Sequence, residues 1–333
     1  MPEKAHSAEG ISPPIEINLT AVIMAMRGDE PCIFASRASA ADPSGLPTGP
    51  YEPLTHRTLE LGLRHFAQHQ AGLDLGYVEQ LYTFADRGRL SEKISDRPVT
   101  GSAHLVSIGY LALTRIDPQA APAARFTPVY AAFPWEDWRK GRPALIDRVI
   151  LPALAHWANE DSASSKVPRT GLTRKERIAL YFGTENTPFD EEKVLERYEL
   201  LYEAGLIDEA IRDGRAAPAH PPAERLGPAM IFDHRRILAT ALGRIRGKLK
   251  YRPLIFEMMP DAFTLTDLQK KVEAISGHHL HKQNFRRLVE TGGLVEPTGE
   301  QTNTGGRPAA LFRFRRDVLI ERPAPGLRLG RGG

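Results

Sequence analysis

The chain has 333 residues, 41% hydrophobic and 26% charged, a net charge of +3 at neutral pH and one cysteine. Length predicts two or three domains, and the composition is that of an ordinary globular protein. No apolar run approaches the roughly 18–20 residues of a membrane span, the N-terminus lacks a signal-like apolar segment, and a lone Cys32 excludes an internal disulfide; a reducing, cytoplasmic setting is expected.

Residues 1–14 are polar and read as a tail. IEINLTAVIMAMRGDEPCIFASR predicts two strands, turned at Arg27-Gly28-Asp29-Glu30. ASAADPSGLPTGPYEPLTH is a loop by its Pro, Gly and Ser content. A helix over about Thr58–Ala71 follows, with Leu59, Leu63, Phe66 and Gln70 at helical spacing and Gly72 placed for a left-handed cap. LGYVEQLYTFA and AHLVSIGYLALTRI predict strands, and FTPVYAAFPW another. A helix over Pro143–Ala158 comes next, with a kink expected at Pro152. Strands flanking one helix and closed by a second give an α/β/α sandwich over residues 13–160. NEDSASSKVPRTG reads as a linker.

Residues 171–213 predict a helical connector. Thr187-Pro188-Phe189-Asp190 has the composition of a helix start. Val194, Leu195, Tyr198, Leu201 and Tyr202 form one apolar stripe, ended by Gly205. GRAAPAHPPAERLGPAM is a second connector.

Charge is divided unevenly. Residues 234–333 carry 19 Lys+Arg against 9 Asp+Glu, a balance of +10, which leaves 25 against 32 and −7 for the first 233. A basic module on an acidic body points to nucleic acid. Within residues 231–320 a helix over about Arg235–Lys248 precedes Thr264, the expected N-cap of a second helix, with Asp267 three residues on in a capping box. HKQNFRRLVETGG predicts a third helix, and two strands around GEQTNTGGRP a hairpin. That order is a winged helix-turn-helix. Phe285, Leu288 and Val289 face its core, leaving Lys282, Gln283, Asn284, Arg286 and Arg287 for a major groove. Arginine pairs with guanine and Gln or Asn with adenine. Thr264 and the wing arginine, Arg307, complete the DNA-facing set; the alternative is a basic winged helix used for protein contact.

The helix ending in Gly72-Leu73 fits the frame of a Nudix box, G-x5-E-x7-R-E-U-x-E-E-x-G-U with U apolar, whose glutamates hold catalytic metal ions. In that register the paired glutamates fall on His69 and Gln70, the Arg-Glu pair on His65 and Phe66, and the upstream glutamate on Arg57. No acidic ligand stands on the helix, so no metal site and no catalytic residue is assigned.

With LPTGPYEP…TLELGLR, GYVEQLYTFADRGR, FTLTDLQKKVEAISG, NFRRLVETGGLVE and GGRPAALFRF, the chain resembles the Nudix-related transcriptional regulators of the NrtR type, and its longer middle helices resemble the NadQ-type subgroup. The resemblance implies an α+β chain with a Nudix-like sandwich, a helical segment and a winged helix. It further implies a homodimeric repressor of NAD-biosynthesis genes that binds an operator in double-stranded DNA. An adenine nucleotide (ATP, NAD or ADP-ribose) is the implied effector, with no enzyme activity. Arg37, Arg57, Arg87 and Arg89 suit diphosphate oxygens, and Tyr82 and Phe84 a base; both aromatics equally suit a core. Two other readings use the same residues. One is an active ADP-ribose hydrolase taking metal ligands from Glu52 or Glu79, the other a winged-helix regulator sensing a different metabolite.

Overall fold

Strand β1 (Ile15–Arg27) is the central strand of a six-stranded mixed sheet in the computed structural model, which describes residues 15–37, 42–85, 104–117, 125–160, 171–303, 308–321 and 327. Its alternation feeds two cores: Val22, Met24 and Met26 face one, Leu19, Ala21, Ile23 and Ala25 the other. Strand β2 (Glu30–Phe34) returns through Gly28, whose φ of +59° makes the turn, and pairs Ile33 with Met24. Strand β3 (Thr48–Pro50) pairs with β1 nearer its start. After helix α1 (Leu59–Ala71) come β4 (Val78–Phe84) and β5 (His104–Leu113). Strand β5 runs parallel to β1, and β4 flanks it antiparallel.

The FTPVYAAFPW segment is strand only over β6 (Phe126–Pro128), beside β2, and then turns into helix α2 (Val129–Ala132). Pro128 has no N–H to extend the ladder, and its φ of −59° leads into the helix. The helix expected over Pro143–Ala158 is wound as a π-turn over Ile146–Ile150 before α3 (Leu151–Asn159), so Pro152 sits in the first turn of α3, where a missing N–H is tolerated.

Next are α4 (Arg174–Phe182), α5 (Val194–Glu203) and α6 (Asp208–Arg212). Thr187-Pro188 does not open α5, which begins at Val194. Phe189 instead stacks on Trp138 with ring centroids 3.9 Å apart, and Arg197 holds the Asp190 carbonyl, fixing the segment as a loop. Helix α7 (His234–Leu249), a 3-10 turn (Leu254–Met258), α8 (Leu265–Ser276), α9 (Lys282–Gly292), β7 (Val295–Thr302), β8 (Ala309–Phe314) and α10 (Val318–Glu321) complete the chain.

The sheet is covered on both faces. Helix α1 buries Leu63, Phe66 and Ala67 against the face of Ile23, Phe34 and Ala112. The helix across β1, β4 and β5 on the other face is α7, not the 143–158 helix of the sequence expectation. Its Ile237, Leu238, Ala241, Leu242, Ile245 and Leu249 are all buried, so it serves the sheet on one side and α5 and α8 on others. The larger core runs without interruption from Val22 and Leu111 through Tyr198 and Leu242 to Leu268 and Phe285 of the C-terminal module. Among the described residues no helix is long and apolar enough to cross a membrane.

Candidate nucleic-acid interface and ligand module

Thr58 caps α1 by accepting from the Leu61 N–H, and Gly72 ends it at φ +64°, so the helix stands in the expected register. In that register the would-be metal face is filled. Phe66 is buried against Gly49 of β3, and Gln70 donates to the Thr48 carbonyl at 2.9 Å. Glu60 pairs along the helix with Arg64 at 2.9 Å. Glu79 is held on the α7 side by Lys248 at 2.7 Å and Arg244 at 3.1 Å, which removes it as a ligand beside α1. Among the described residues no group of three or more His, Cys, Asp or Glu is arranged to hold a metal ion.

The described effector candidates differ in exposure. Arg37 and Arg57 are exposed, at the end of β2 and just before α1. Tyr82 is 61% exposed whereas Phe84 is 3% exposed, a core residue with the Arg236 guanidinium 5.2 Å from its ring. A β-bulge between Gln80 and Thr83 turns Leu81 and Phe84 to the same interior. Phe84 is therefore withdrawn as a base-stacking residue, although its ring meets that of Tyr82 edge-on at 5.4 Å. Arg87 and Arg89 lie outside the described residues.

At the C-terminal module the geometry is more complete. Phe285 and Val289 of α9 are buried and Leu288 half-buried, while Lys282, Gln283, Asn284, Arg286 and Arg287 are all exposed. Five groups suited to base edges and phosphates thus share the solvent side of one helix. The wing is tied to the module by a two-way backbone bridge between Phe263 and Phe312, at 3.0 and 2.8 Å. Its tip residue Arg307 lies outside the described residues. Thr264 is corrected from the DNA-facing set. It is 5% exposed, and its hydroxyl caps the Asp267 N–H while donating to that carboxylate at 2.7 Å. A side chain so engaged holds α8 rather than reaching a duplex.

Residues 255–314 match the family model of the NrtR DNA-binding winged helix domain. They form an NrtR-type winged helix. An Acinetobacter baylyi protein described as the ADPR responsive transcriptional repressor NtrR is 44% identical over 85 residues, 26% of this chain and 34% of that one. The match thus spans about a third of that relative's length. Shewanella oneidensis NrtR is similar in fold, with a TM-score of 0.52 in its complex with a 27mer DNA and 0.50 alone. Both comparisons give 17% identity over 91% of this chain and 95% of the other. The chain has the NrtR fold, a Nudix sandwich with a C-terminal winged helix.

The seam between sandwich and NrtR-type winged helix holds residues that the sequence reading missed. Glu136, Arg197 and Arg246 are at most 2% exposed and joined at 2.6 to 2.9 Å. Burial alone would raise the Glu136 carboxyl, but the two guanidiniums outweigh it and hold it below its ordinary value. The excess positive charge is spread over carbonyls: Arg197 donates to Tyr181 and Asp190, Arg246 to Glu191, Ile275 and Glu136. A second buried pair, Arg235 and Glu209 at 3.1 Å, ties α7 to α6. His234 accepts the Leu46 N–H at 2.9 Å and is held neutral by burial, its pKa pushed down to about 3. The available signal was an arginine inside an apolar stripe: Arg197 stands among Val194, Tyr198 and Leu201, and Arg246 among Leu242, Ile245 and Leu249.

Proposed function

We propose that the chain is a DNA-binding transcriptional repressor whose Nudix sandwich binds an adenine nucleotide, with ADP-ribose the leading choice, and does not hydrolyse it. Nucleotide occupancy changes operator affinity, and the regulated genes serve NAD biosynthesis. The observation that carries this reading is the solvent side of α9, where Lys282, Gln283, Asn284, Arg286 and Arg287 stand together in an NrtR-type winged helix. The similar A. baylyi protein is described as an ADP-ribose-responsive repressor, which supports the choice of effector. Phe66 and Gln70 at ligand positions of the Nudix box support binding without turnover. A nucleotide shifts DNA affinity only by its differential affinity for the two states of the protein. A homodimer reading two half-sites, in the cytoplasm, is part of the proposal.

The test is fluorescence anisotropy on a duplex from upstream of the source organism's NAD-synthesis genes, with ATP, NAD and ADP-ribose each titrated in. Salt is fixed, because phosphate contacts make affinity salt-dependent. Sequence-preferring binding that ADP-ribose alters is the expected result. Binding indifferent to all three nucleotides rejects the proposed effector class, and no preference over scrambled DNA rejects the proposed operator.

A further inference from the structure

An α-helix leaves its last four carbonyls without helical donors, and at the end of α8, the helix before the proposed recognition helix, they need local caps, water or donors from elsewhere. In this chain two of the last four in α8 are taken by donors from α2 and α7. At the end of α8 the Ala274 carbonyl accepts the Tyr130 hydroxyl at 2.6 Å, and the Ile275 carbonyl accepts Arg246 Nε at 3.1 Å. Just past the helix, the carbonyl of its C-cap Gly277 accepts the Trp138 N–H at 2.7 Å. The Glu273 carbonyl is capped locally, by the Gly277 N–H. Tyr130 lies on α2 and Trp138 in the loop after it, both on the sandwich side, and Arg246 lies on α7. A cation at this position also complements the negative end of the helix dipole.

The corner is fitted to these donors. Gly277 takes φ of +77°, and a β-carbon there would lie 2.6 Å from both Arg246 Nη2 and the Glu136 carbonyl oxygen. Beyond Gly277 the chain reaches α9 in a few residues. Leu280 is tied back to α8 through its N–H to Glu273 Oε1 and its carbonyl to Gln269, both at 2.8 Å. The short connection ties the direction of α9 to the end of α8, and the end of α8 is bonded to the sandwich.

We propose that Tyr130, Trp138 and Arg246 are positioning residues for the recognition helix: the sandwich and α7 cap α8, the helix before it, and so set the orientation of α9 toward DNA. The inference rests on the DNA-binding reading above and adds to it the path by which the state of the sandwich reaches the bases.

The test uses the full chain, the tightest duplex selected by wild type from a randomised pool, and Tyr130→Phe. The variant keeps the ring and leaves the Ala274 carbonyl without its donor. Operator affinity is expected to fall about tenfold, the scale of one unmade buried hydrogen bond. The dependence on salt stays unchanged, because no phosphate-neutralising cation is altered. Amide hydrogen exchange over residues 276–281 accelerates, while the amides of 285–290 keep their protection. Leu63→Ala, on the far face of the sheet, is the control: it lowers stability but leaves affinity and the exchange of 276–281 as in wild type. Should Tyr130→Phe not fold, Arg246→Lys takes its place, keeping a charge beside Glu136 and removing the Nε donor.

Affinity within twofold of wild type overturns the proposal, whether or not the corner exchanges faster. Unchanged exchange over 276–281 overturns it as well, as does a control that loses affinity equally. If wild type selects no sequence from the pool, the DNA-binding reading has failed instead, and exchange at the corner alone decides whether the sandwich caps α8.

Discussion

Phe66 packs over Gly49 of β3, where a β-carbon would sit in ordinary van der Waals contact with the ring, at 3.4 Å. Phe66 stands where a metal-binding glutamate belongs in the Nudix register, so an apolar contact replaces a ligand. Gln70, at another ligand position, is bonded to the adjoining Thr48. Such a face offers a divalent cation no carboxylate.

The purified chain is therefore expected to release no AMP from ADP-ribose in the presence of magnesium. Phe66→Glu is expected not to create activity, since the other ligand positions stay non-acidic. It should lower stability by about 3 kcal/mol or more, through loss of ring burial and burial of a carboxylate. Chromatography of the nucleotide products and a urea titration check both parts. AMP formation by wild type above a no-protein control would sink the idea.

Glu136 sets a second prediction. Replacing it by Gln leaves Arg197 and Arg246 buried without a counter-charge, which is expected to cost about 3–5 kcal/mol of stability. Because its folded pKa is depressed, the carboxylate's contribution is complete above its unfolded value and disappears only as pH falls through the lowered folded one. The penalty of Glu136→Gln should thus be the same at pH 6 and pH 8. A penalty that halves between those two values in urea titrations would show that the buried pair does not work this way.

Much of the fold was legible because the deciding interactions are local. Thr264 and Asp267 form the capping box their spacing announces, and Gly72 takes the left-handed cap. The β-forming residues of IEINLTAVIMAMR do form the strand their composition predicts. Failures came where a distant partner decides. The bulge in β4 breaks the two-residue period, so neighbouring aromatics divide between solvent and core. Thr187-Pro188 carries good capping chemistry, yet Trp138 stacks on Phe189 and holds that segment out of the helix. The Glu136, Arg197 and Arg246 cluster joins positions too far apart in sequence for any periodicity to link them.

His234 gives the chain a pH dependence of its own. Burial, with a smaller effect from Arg212, pushes its pKa from 6.5 to about 3, so the folded state keeps the ring neutral and Nδ1 free to accept the Leu46 N–H. The unfolded chain takes up the proton below about pH 6.5. Stability from this group is therefore full above that value and declines as the solution is acidified toward pH 3. At pH 5 the loss amounts to roughly 2 kcal/mol. His234→Gln, which keeps a neutral acceptor, should flatten that part of the profile. Urea midpoints of both proteins at pH 7.5 and 5 are the measurement, and equal acid losses in the two would rule out His234 as the source.

With α9 as the proposed recognition helix, cations that read bases are expected to separate from those that only hold phosphate. Arg286 and Arg287 are exposed on α9 beside Gln283 and Asn284, and an exposed guanidinium can make bidentate contact with guanine. Alanine at an arginine that reads a base should cost about 1–3 kcal/mol on the preferred duplex and relax the choice of base at one position. Lys282, at the first position of the helix, is placed for a phosphate near the helix N-terminus. Lys282→Ala should weaken all sequences alike and reduce the log–log salt slope by about 1. Thr264→Ala, by contrast, should lower stability by about 1 kcal/mol through its lost cap and leave the salt slope untouched. Binding titrations at three salt concentrations on the preferred duplex and its single-base variants separate these outcomes. If both arginine variants lose affinity uniformly across the duplex set, α9 grips the backbone and the bases are read elsewhere.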